Sequence, residues 1–498
     1  MTMYVLGIDV GTGGTRVLII DELGGAIASA TEEHQRFTSP QIGWAEQSPT
    51  DWWRAAGLAV RRALASANLT GDSIACVGFS GQMHGAVMLD ATGDVVRPAL
   101  IWCDVRTEKQ CNDIHAKLGE SRTIQLTCNP ALPNFTLTKL LWVRENEPEN
   151  WKRVHSVMLP KDYVRFRLSG ERASDVADAS GTLMLDVARR RWSTEVLRTL
   201  QISESLLPAL YESPEICGKI CNEGAIATGL SPGTPVVAGA GDQAAGAVGL
   251  GIVAPGMVSA TIGTSGVVFA STDRPALDPK GRLHTFCHAV PGRWHVMGVT
   301  QAAGLSLRWF RDLLRDNSAD GASYDQLTAE AATVPPGSEG VLWAPYLMGE
   351  RAPHLDPNAR GALLGLAASH KRGHVVRAVM EGVAFSLRDS FTILEEMEVP
   401  AGRIRLGGGG ARSPLWAQIQ ADIYGRDVEI PKAEEGAAYG AAILAGVGVG
   451  FWPSVDAACN AVVEIAQRVC TRPDVVTPMN ARYAQYKKIY PALRSIFN

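Results

Sequence analysis

The sequence predicts an α/β protein built from two related domains that face each other across a central cleft. At 498 residues, the chain is longer than one hydrophobic core usually supports, so two large domains are expected. The motif V-G-T-G-G at residues 10–14 also recurs as I-G-T-S-G at residues 262–266, about half the chain later. We therefore place one domain at 1–245 and the other at 246–498.

Each copy of this repeat adjoins apolar segments that are typical of strands. Tyr4–Leu6 precedes the first copy and Val17–Ile20 follows it, while Val267–Ala270 follows the second copy. Glycines and small hydroxyl residues between such segments indicate a hairpin turn. We therefore expect a β-hairpin at the start of each domain.

Further segments extend the α/β pattern over both halves. Residues 51–65 have helical periodicity, and residues 74–79 form a short apolar run that is typical of a buried strand. Residues 374–387 place apolar side chains on one helical face. The glycine-rich segment 407–413 follows Arg405–Leu406 and is typical of a loop between a strand and a helix.

Composition and charge exclude several classes of partner. With a net charge of −4, the chain has no basic surplus for binding nucleic acid or an anionic membrane. The uncharged segments 243–272 and 436–455 are rich in glycine and interrupted by proline, unlike a membrane-spanning helix. The nine cysteines are scattered and odd in number, and no export signal is visible, so we expect a cytoplasmic protein with reduced thiols.

The turn G-T-G-G-T at residues 11–15 has the chemistry of a phosphate site, because backbone N–H groups and hydroxyls donate to phosphate oxygens. Asp9 would repel phosphate directly, so its position before the turn indicates an intervening Mg²⁺ ion or ordered water. A plain hairpin turn explains either copy of the motif alone, but two copies in corresponding positions favour a nucleotide site. The sequence contains neither a P-loop nor a dinucleotide-binding pattern.

Asp242 is a candidate for binding a metal or moving a proton. It is the only charged residue between Val236 and Thr272, in a segment of glycine and alanine. A carboxylate in such surroundings is costly to bury unless it performs one of those tasks. The alternative is that Asp242 caps a helix.

A second polar group of residues suits a sugar. The segment G-Q-M-H-G at residues 81–85 places His84 directly after a buried strand, where it could hydrogen-bond to a polar substrate. Trp102 and Asp104 add an aromatic wall and a carboxylate, a combination that sugar sites use.

Together these motifs resemble the FGGY family of carbohydrate kinases, and the resemblance runs almost from end to end. Asn134 departs from the family's usual pattern in one of the two signature segments. The segments that carry the resemblance are 9–16, 81–85, 134–146, 239–242, 262–266, 361–381 and 407–416.

The resemblance implies two ribonuclease-H-like domains of the actin/hexokinase ATPase type, with ATP and Mg²⁺ in the cleft, and a homodimer. It also implies phosphoryl transfer from ATP to D-xylulose, with Asp242 as general base. The implied site residues are Met83, His84, Trp102, Asp104, Asp242 and Gln243 for the sugar, Thr12, Gly13, Arg16, Gly263, Thr264, Gly409, Gly410 and Ala411 for the nucleotide, and Asp9 and, through water, Asp242 for the metal.

Two departures leave the substrate open. Cys103 and Gln243 both stand where asparagine is common in the family, and both adjoin the expected sugar. A kinase for another ketopentose, a polyol or a sugar acid is therefore the alternative within the family. An actin- or chaperone-like ATPase is the alternative of another class, although the segment 81–85 has no evident purpose there. The presence of both Asp9 and Asp242 argues against a non-catalytic sugar sensor.

Overall fold

The computed structural model describes residues 3–314, 322–432 and 436–497. In the N-terminal half, the elements in chain order are β1 Tyr4–Val10, β2 Gly14–Ile20, β3 Ala26–Glu33, β4 Glu46–Gln47, α1 Pro49–Ser66, β5 Ile74–Gly81, β6 Val87–Leu89, β7 Ala99–Leu100, α2 Glu108–Leu118, α3 Glu120–Thr127, α4 Thr136–Asn146, α5 Pro148–Arg153, β8 Ser156–Met158, α6 Pro160–Ser169, β9 Ala173–Asp175, α7 Val176–Ala179, β10 Leu185–Asp186, β11 Arg191–Trp192, α8 Thr194–Leu200, β12 Ala209–Tyr211, β13 Ile216–Lys219, α9 Asn222–Thr228, β14 Pro235–Val237, β15 Ala240–Gly241 and α10 Asp242–Gly249.

The C-terminal half contains a second set of strands and helices. In chain order these are β16 Gly256–Ile262, β17 Gly266–Thr272, β18 His284–Cys287, β19 Trp294–Thr300, α11 Gly304–Leu313, α12 Tyr324–Ala332, β20 Leu342–Ala344, β21 Ala362–Leu364, α13 Arg372–Glu396, β22 Ala401–Gly408, α14 Pro414–Tyr424, β23 Val428–Pro431, α15 Gly436–Gly448, α16 Val455–Val462, β24 Ile465–Val469, α17 Pro473–Tyr486 and α18 Ile489–Phe497.

The first half is organised around a seven-stranded mixed sheet. Its strands follow the order β13-β14-β5-β1-β2-β3, and β15 also pairs with β5. β1 and β2 form the predicted hairpin, with Val5 opposite Ile20 and Val10 opposite Thr15. β5 runs parallel to β1, and β15 runs parallel to β5. The apolar residues of β1 and β2 pack against helix α1, which buries Trp52 and its neighbours.

The second half repeats this plan. Its seven-stranded sheet follows the order β18-β19-β17-β16-β22-β23-β24. β16 and β17 form the second predicted hairpin, and β22 runs parallel to β16 as β5 does to β1. The long helix α13 is buried along most of its length and covers this sheet. The predicted α/β fold with two ribonuclease-H-like halves is confirmed, whereas the boundary between residues 245 and 246 stays a prediction.

The two uncharged segments form closely packed helices and strands. Helices α10 and α15 lie against each other, so closely that a Cβ on Gly440 would overlap the carbonyl of Ala245. α15 also packs on the first sheet, where a Cβ on Gly7 would come within 2.7 Å of the backbone nitrogen of Ala442. Glycine and alanine allow these close backbone approaches.

The glycine and proline content of the two uncharged segments predicts that neither of them forms a membrane-spanning helix. In the parts of the chain that the structure describes, no helix is both long enough and apolar enough to cross a bilayer.

Candidate active site

Asp9 and Asp242 lie at the same edge of the first sheet. Asp9 is next to the last residue of β1, and Asp242 directly follows β15. Because β1, β5 and β15 all run in one direction, their carboxyl ends share this edge. In open α/β sheets, ligands bind in the crevice outside the carboxyl ends of the strands. The fold thus brings together two carboxylates that are far apart in sequence.

The carboxylate of Asp9 is held within the sheet. Ser80, its neighbour on β5, donates a hydrogen bond to Asp9 Oδ1 at 2.9 Å. Arg16 is the residue opposite Asp9 on β2. Burial raises the pKa of Asp9, and the hydrogen bond from Ser80 and the charge of Arg16 oppose that rise. Asp9 is therefore a buried acid whose charged form gains from a nearby cation.

Asp242 has the electrostatic environment of a proton acceptor. Burial is the largest cause that raises its pKa to about 7, and the charge of Asp9 is the second. A hydrogen bond from Gln243 Nε2 to Asp242 Oδ1, at 3.3 Å, works in the opposite direction. The helix-cap interpretation is wrong, because Gly241 occupies the cap position and Asp242 is the first residue of α10.

Met83 lies close to the backbone just before Asp242, and His84 is its neighbour in the chain. A Cβ on Gly241, the residue before Asp242, would come within 2.8 Å of Met83 Cγ. His84 Nδ1 donates to the carbonyl of Gly181 at 2.7 Å, which leaves Nε2 unprotonated and able to accept a hydrogen bond. Burial lowers the pKa of His84 well below its usual value, so the ring is neutral at physiological pH.

Trp102, one of the residues predicted to contact the sugar, is hydrogen-bonded to the first glycine turn. Its indole Nε1 donates to Thr12 Oγ1 at 2.9 Å, and its side chain remains 38% exposed. Gln82 also lies within hydrogen-bond distance of Thr12, at 3.4 Å. Gly13, at the tip of the same turn, is exposed and has open space where a side chain would be. The first turn and the residues predicted to contact the sugar, among them Trp102, therefore form one continuous surface.

Asp104 does not belong to that surface, which corrects its predicted role in contacting the sugar. Its side chain is fully buried and accepts hydrogen bonds from the backbone of Ala45 at 2.7 Å and from the guanidinium of Arg106 at 2.6 Å. The guanidinium in turn lies over the ring of Trp44. Asp104 therefore anchors the segment that carries Trp102, and the neighbouring Cys103 is partly buried.

The second glycine turn and the loop after β22 line a cavity of about 490 Å³. The two segments are adjacent because Ile262 and Gly408, the last residues of β16 and β22, are paired in register. The sequence analysis missed the helices α11 and α12, which supply much of the remaining wall and carry no glycine motif. The lining includes Gly263, Thr264, Gly409 and Gly410 of the predicted residues, and Leu305, Arg308, Tyr324 and Thr328 of the missed ones.

A second cavity, of about 600 Å³, adjoins the first and contains the carboxylates. Gly409 lines both cavities, while Ala411, Asp9, Asp242 and Gln243 line the second. A long ligand can therefore extend from the second glycine turn and the loop after β22 to the carboxylate pair. This is the arrangement that a nucleoside triphosphate needs if its last phosphate is to meet an acceptor beside Asp242.

The carboxylate pair suits a hydrated Mg²⁺ ion. Among the residues that the structure describes, no group of three or more His, Cys, Asp or Glu side chains could hold a metal by itself. Mg²⁺ usually keeps several waters and takes one or two carboxylates together with substrate phosphates. Asp9 and Asp242 fit that pattern, since a cation between them would relieve the repulsion that raises the pKa of Asp242.

Two sheets of this topology, with a carboxylate pair and glycine turns at their strand ends, are typical of ATP-using proteins of the actin/hexokinase class. Comparison with known proteins identifies the family. The pattern of the N-terminal domain of the FGGY family of carbohydrate kinases matches residues 4–249, and that of its C-terminal domain matches residues 258–449. The chain belongs to this family, which confirms the predicted family and the predicted enzyme class, a kinase that uses ATP as a substrate.

Relatives of known name cover nearly the whole chain. The xylulose kinase of Lactococcus lactis is 40% identical over 495 residues, which span 99% of this chain and 96% of that protein. The gluconokinase of Bacillus subtilis is 32% identical over 499 residues, which span 99% of this chain and 95% of that protein. The crystal structure of xylulose kinase from Rhodospirillum rubrum is similar, with a TM-score of 0.91, 30% identity and 99% coverage of both chains.

Proposed function

We propose that this kinase transfers the γ-phosphoryl group of MgATP to the terminal hydroxyl of D-xylulose, giving D-xylulose 5-phosphate. The observation that carries the proposal is the position of Asp242: its pKa is raised to about 7, in part by the charge of Asp9, and the residue before it, Gly241, lies against Met83. The relatives named xylulose kinase support the choice of sugar.

Asp242 acts as the general base. The C5 hydroxyl oxygen attacks the γ-phosphorus, the bond to the β,γ-bridging oxygen breaks, and the hydroxyl proton passes to the Asp242 carboxylate. A base with a pKa near the working pH is efficient, because it is ionised yet still attracts a proton. His84 Nε2 accepts a hydrogen bond from a sugar hydroxyl, Met83 and Trp102 contact the carbon skeleton, and Gln243 adds an amide.

The glycine turns position the triphosphate. Backbone N–H groups of such turns neutralise and orient phosphate oxygens, and loose phosphoryl transfer depends mainly on that positioning. When bound through Asp9 and, by way of water, Asp242, Mg²⁺ supplies positive charge to the phosphates. The residues proposed to contact the nucleotide are Thr12, Gly13 and Arg16 in the first turn, Gly263 and Thr264 in the second, and Gly409, Gly410 and Ala411 in the loop after β22.

We also propose a cytoplasmic homodimer with domains at 1–245 and 246–498. The resemblance to the family supports the dimer, and the sequence motifs that recur in each half support the boundary. Sedimentation equilibrium of the purified chain gives the oligomeric state directly, and a molecular mass of one chain at micromolar concentration would contradict the dimer.

The test is ADP release with MgATP and a panel of acceptors: D-xylulose, L-xylulose, D-ribulose, L-ribulose, glycerol and gluconate. We expect D-xylulose to give the highest kcat/KM and Asp242→Asn to lose several orders of magnitude in kcat while still binding ATP. Asp273→Asn, the same change at an exposed position, is the matched control. Unchanged turnover in Asp242→Asn would contradict the base assignment.

Two other results would change the proposal. Preference for gluconate or another acceptor would keep the mechanism and point to Cys103 and Gln243 as the positions that alter the sugar site. ATP turnover that is indifferent to every sugar would instead favour a nucleotide-driven ATPase.

A further inference from the structure

His84 has a backbone conformation that needs support from its surroundings. Its φ angle is +66°, in the left-handed region that residues with a side chain rarely adopt. Such a conformation is strained and persists only where neighbouring groups impose it. The hydrogen bond from His84 Nδ1 to Gly181 fixes the ring, but it leaves the peptide group of His84 to be held by something else.

Two side chains of helix α4 hold that peptide group. Thr136 Oγ1 donates to the carbonyl oxygen of His84 at 3.1 Å, and Lys139 Nζ donates to the same oxygen at 2.9 Å. Residues three apart lie on one face of a helix, so both donors point to one acceptor. Both residues belong to the segment 134–146, which resembles a family signature but has no role in the proposed chemistry.

Burying the amino group of Lys139 at this position costs free energy. Its side chain is fully buried, and its hydrogen-bond acceptors among the described residues are two backbone carbonyls, those of His84 and Asn134. Burial lowers the pKa of Lys139 to about 7, although the charge of Asp104 opposes that fall. An apolar side chain would pack in this core at lower cost, but it could not donate hydrogen bonds to the carbonyls of His84 and Asn134.

We propose that Lys139 and Thr136 are positioning residues for the sugar: by holding the carbonyl of His84, they fix the backbone that directs His84 Nε2 toward the substrate. The inference rests on the proposed function, because His84 contacts the sugar only there. It requires that both side chains act through His84, and therefore on sugar affinity and not on nucleotide affinity.

The first experiment compares KM values for D-xylulose and for ATP. Lys139→Met should raise the KM for D-xylulose by roughly tenfold or more, since the carbonyl of His84 loses the closer of its two side-chain donors. Thr136→Val, which loses the hydroxyl, should raise it by roughly threefold to tenfold, and Thr136→Ser, which keeps the hydroxyl, should restore it. The KM for ATP should not change. Lys109→Met, at an exposed position of α2, is the control for loss of a lysine.

The second experiment is a double-mutant cycle with His84→Ala. If Lys139 acts through His84, then Lys139→Met has no further effect on the KM for D-xylulose once His84 is alanine. Additive effects would overturn the inference, as would equal rises in both KM values or a Thr136→Ser variant as impaired as Thr136→Val. If Lys139→Met does not fold, the Thr136 pair supports the same cycle.

A third measurement separates this inference from the proposed function. A crystal structure of Thr136→Val or Lys139→Met should show a changed φ at residue 84 or a displaced His84 ring. An unchanged residue 84 would overturn the positioning role, whatever the kinetics. In contrast, a wild-type chain that releases no ADP in response to D-xylulose would overturn the proposed substrate and leave the structural result standing.

Discussion

The contact between helices α10 and α15 gives a sharp prediction about stability. A Cβ added to Gly440 of α15 would lie 2.6 Å from the carbonyl carbon of Ala245 and 3.1 Å from the backbone nitrogen of Gly249, both on α10. These neighbours are backbone atoms, which cannot rotate away as a side chain could. Gly440→Ala must therefore push the two helices apart, and overpacking of this kind costs about 1–3 kcal/mol.

Gly246 provides a matched control on the partner helix. It lies one residue from the carbonyl that Gly440 approaches, but a Cβ there would meet nothing within 4 Å. Because alanine is the better helix former, Gly246→Ala should be neutral or stabilise the chain by up to about 1 kcal/mol. The same substitution is thus expected to destabilise the chain at Gly440 but not at Gly246 on the facing helix.

Thermal unfolding of the two variants measures the difference. Since 1 kcal/mol corresponds to roughly 2–4 °C in Tm for domains of 150–250 residues, Gly440→Ala should unfold several degrees below Gly246→Ala. The kcat of Gly440→Ala should also fall, because α10 begins with Asp242. If the two variants unfold at the same temperature, the inference that α10 and α15 leave no room for a Cβ at Gly440 is wrong.

Two further predictions concern acidic residues. Because an acid of pKa about 7 must lose its proton to act as a base, kcat/KM should fall about tenfold for each pH unit below 7, and Asp9→Asn should move that midpoint to lower pH. A profile that is flat from pH 5.5 to 8.5 would contradict both the pKa and the role of Asp242. Asp104→Asn should lower the stability by about 3 kcal/mol, since it breaks a fully buried ion pair with Arg106, and a Tm within one degree of the wild type would contradict this.

Local chemistry explains why both hairpins could be predicted from the sequence. The turns at residues 11–15 and 263–266 combine glycines with hydroxyl residues between apolar segments, and this information lies within a few residues. The proximity of Asp9 and Asp242 depends on parallel pairing in the first sheet, which the sequence alone does not specify. The family resemblance implies that proximity, whereas the rarity of charge around Asp242 marks that residue alone.

Other features depend on contacts between distant segments and could not be predicted. Asp104 has the residue type of a sugar ligand, but its partners, Ala45 and Arg106, decide that it is buried. The wall that Arg308 and Tyr324 contribute to the nucleotide-side cavity comes from helices without a recognisable motif. The role of Lys139 depends on the backbone angle of His84, and backbone angles of residues other than glycine and proline leave little trace in a sequence.

The packing of α10 also determines where the cleft has room to close. One side of α10 lies against α15, which itself lies on the first sheet, and neither contact has space for an additional methyl group. The other side borders the cavity of about 600 Å³. The lining of this cavity also includes Thr261, Val267 and Leu406 of the second sheet. We therefore expect any closing motion that excludes water to proceed across this cavity and not between the helices. In such a motion Asp242 and Asp9, which lie at one edge of the same sheet, would keep their spacing while the second glycine turn approaches them.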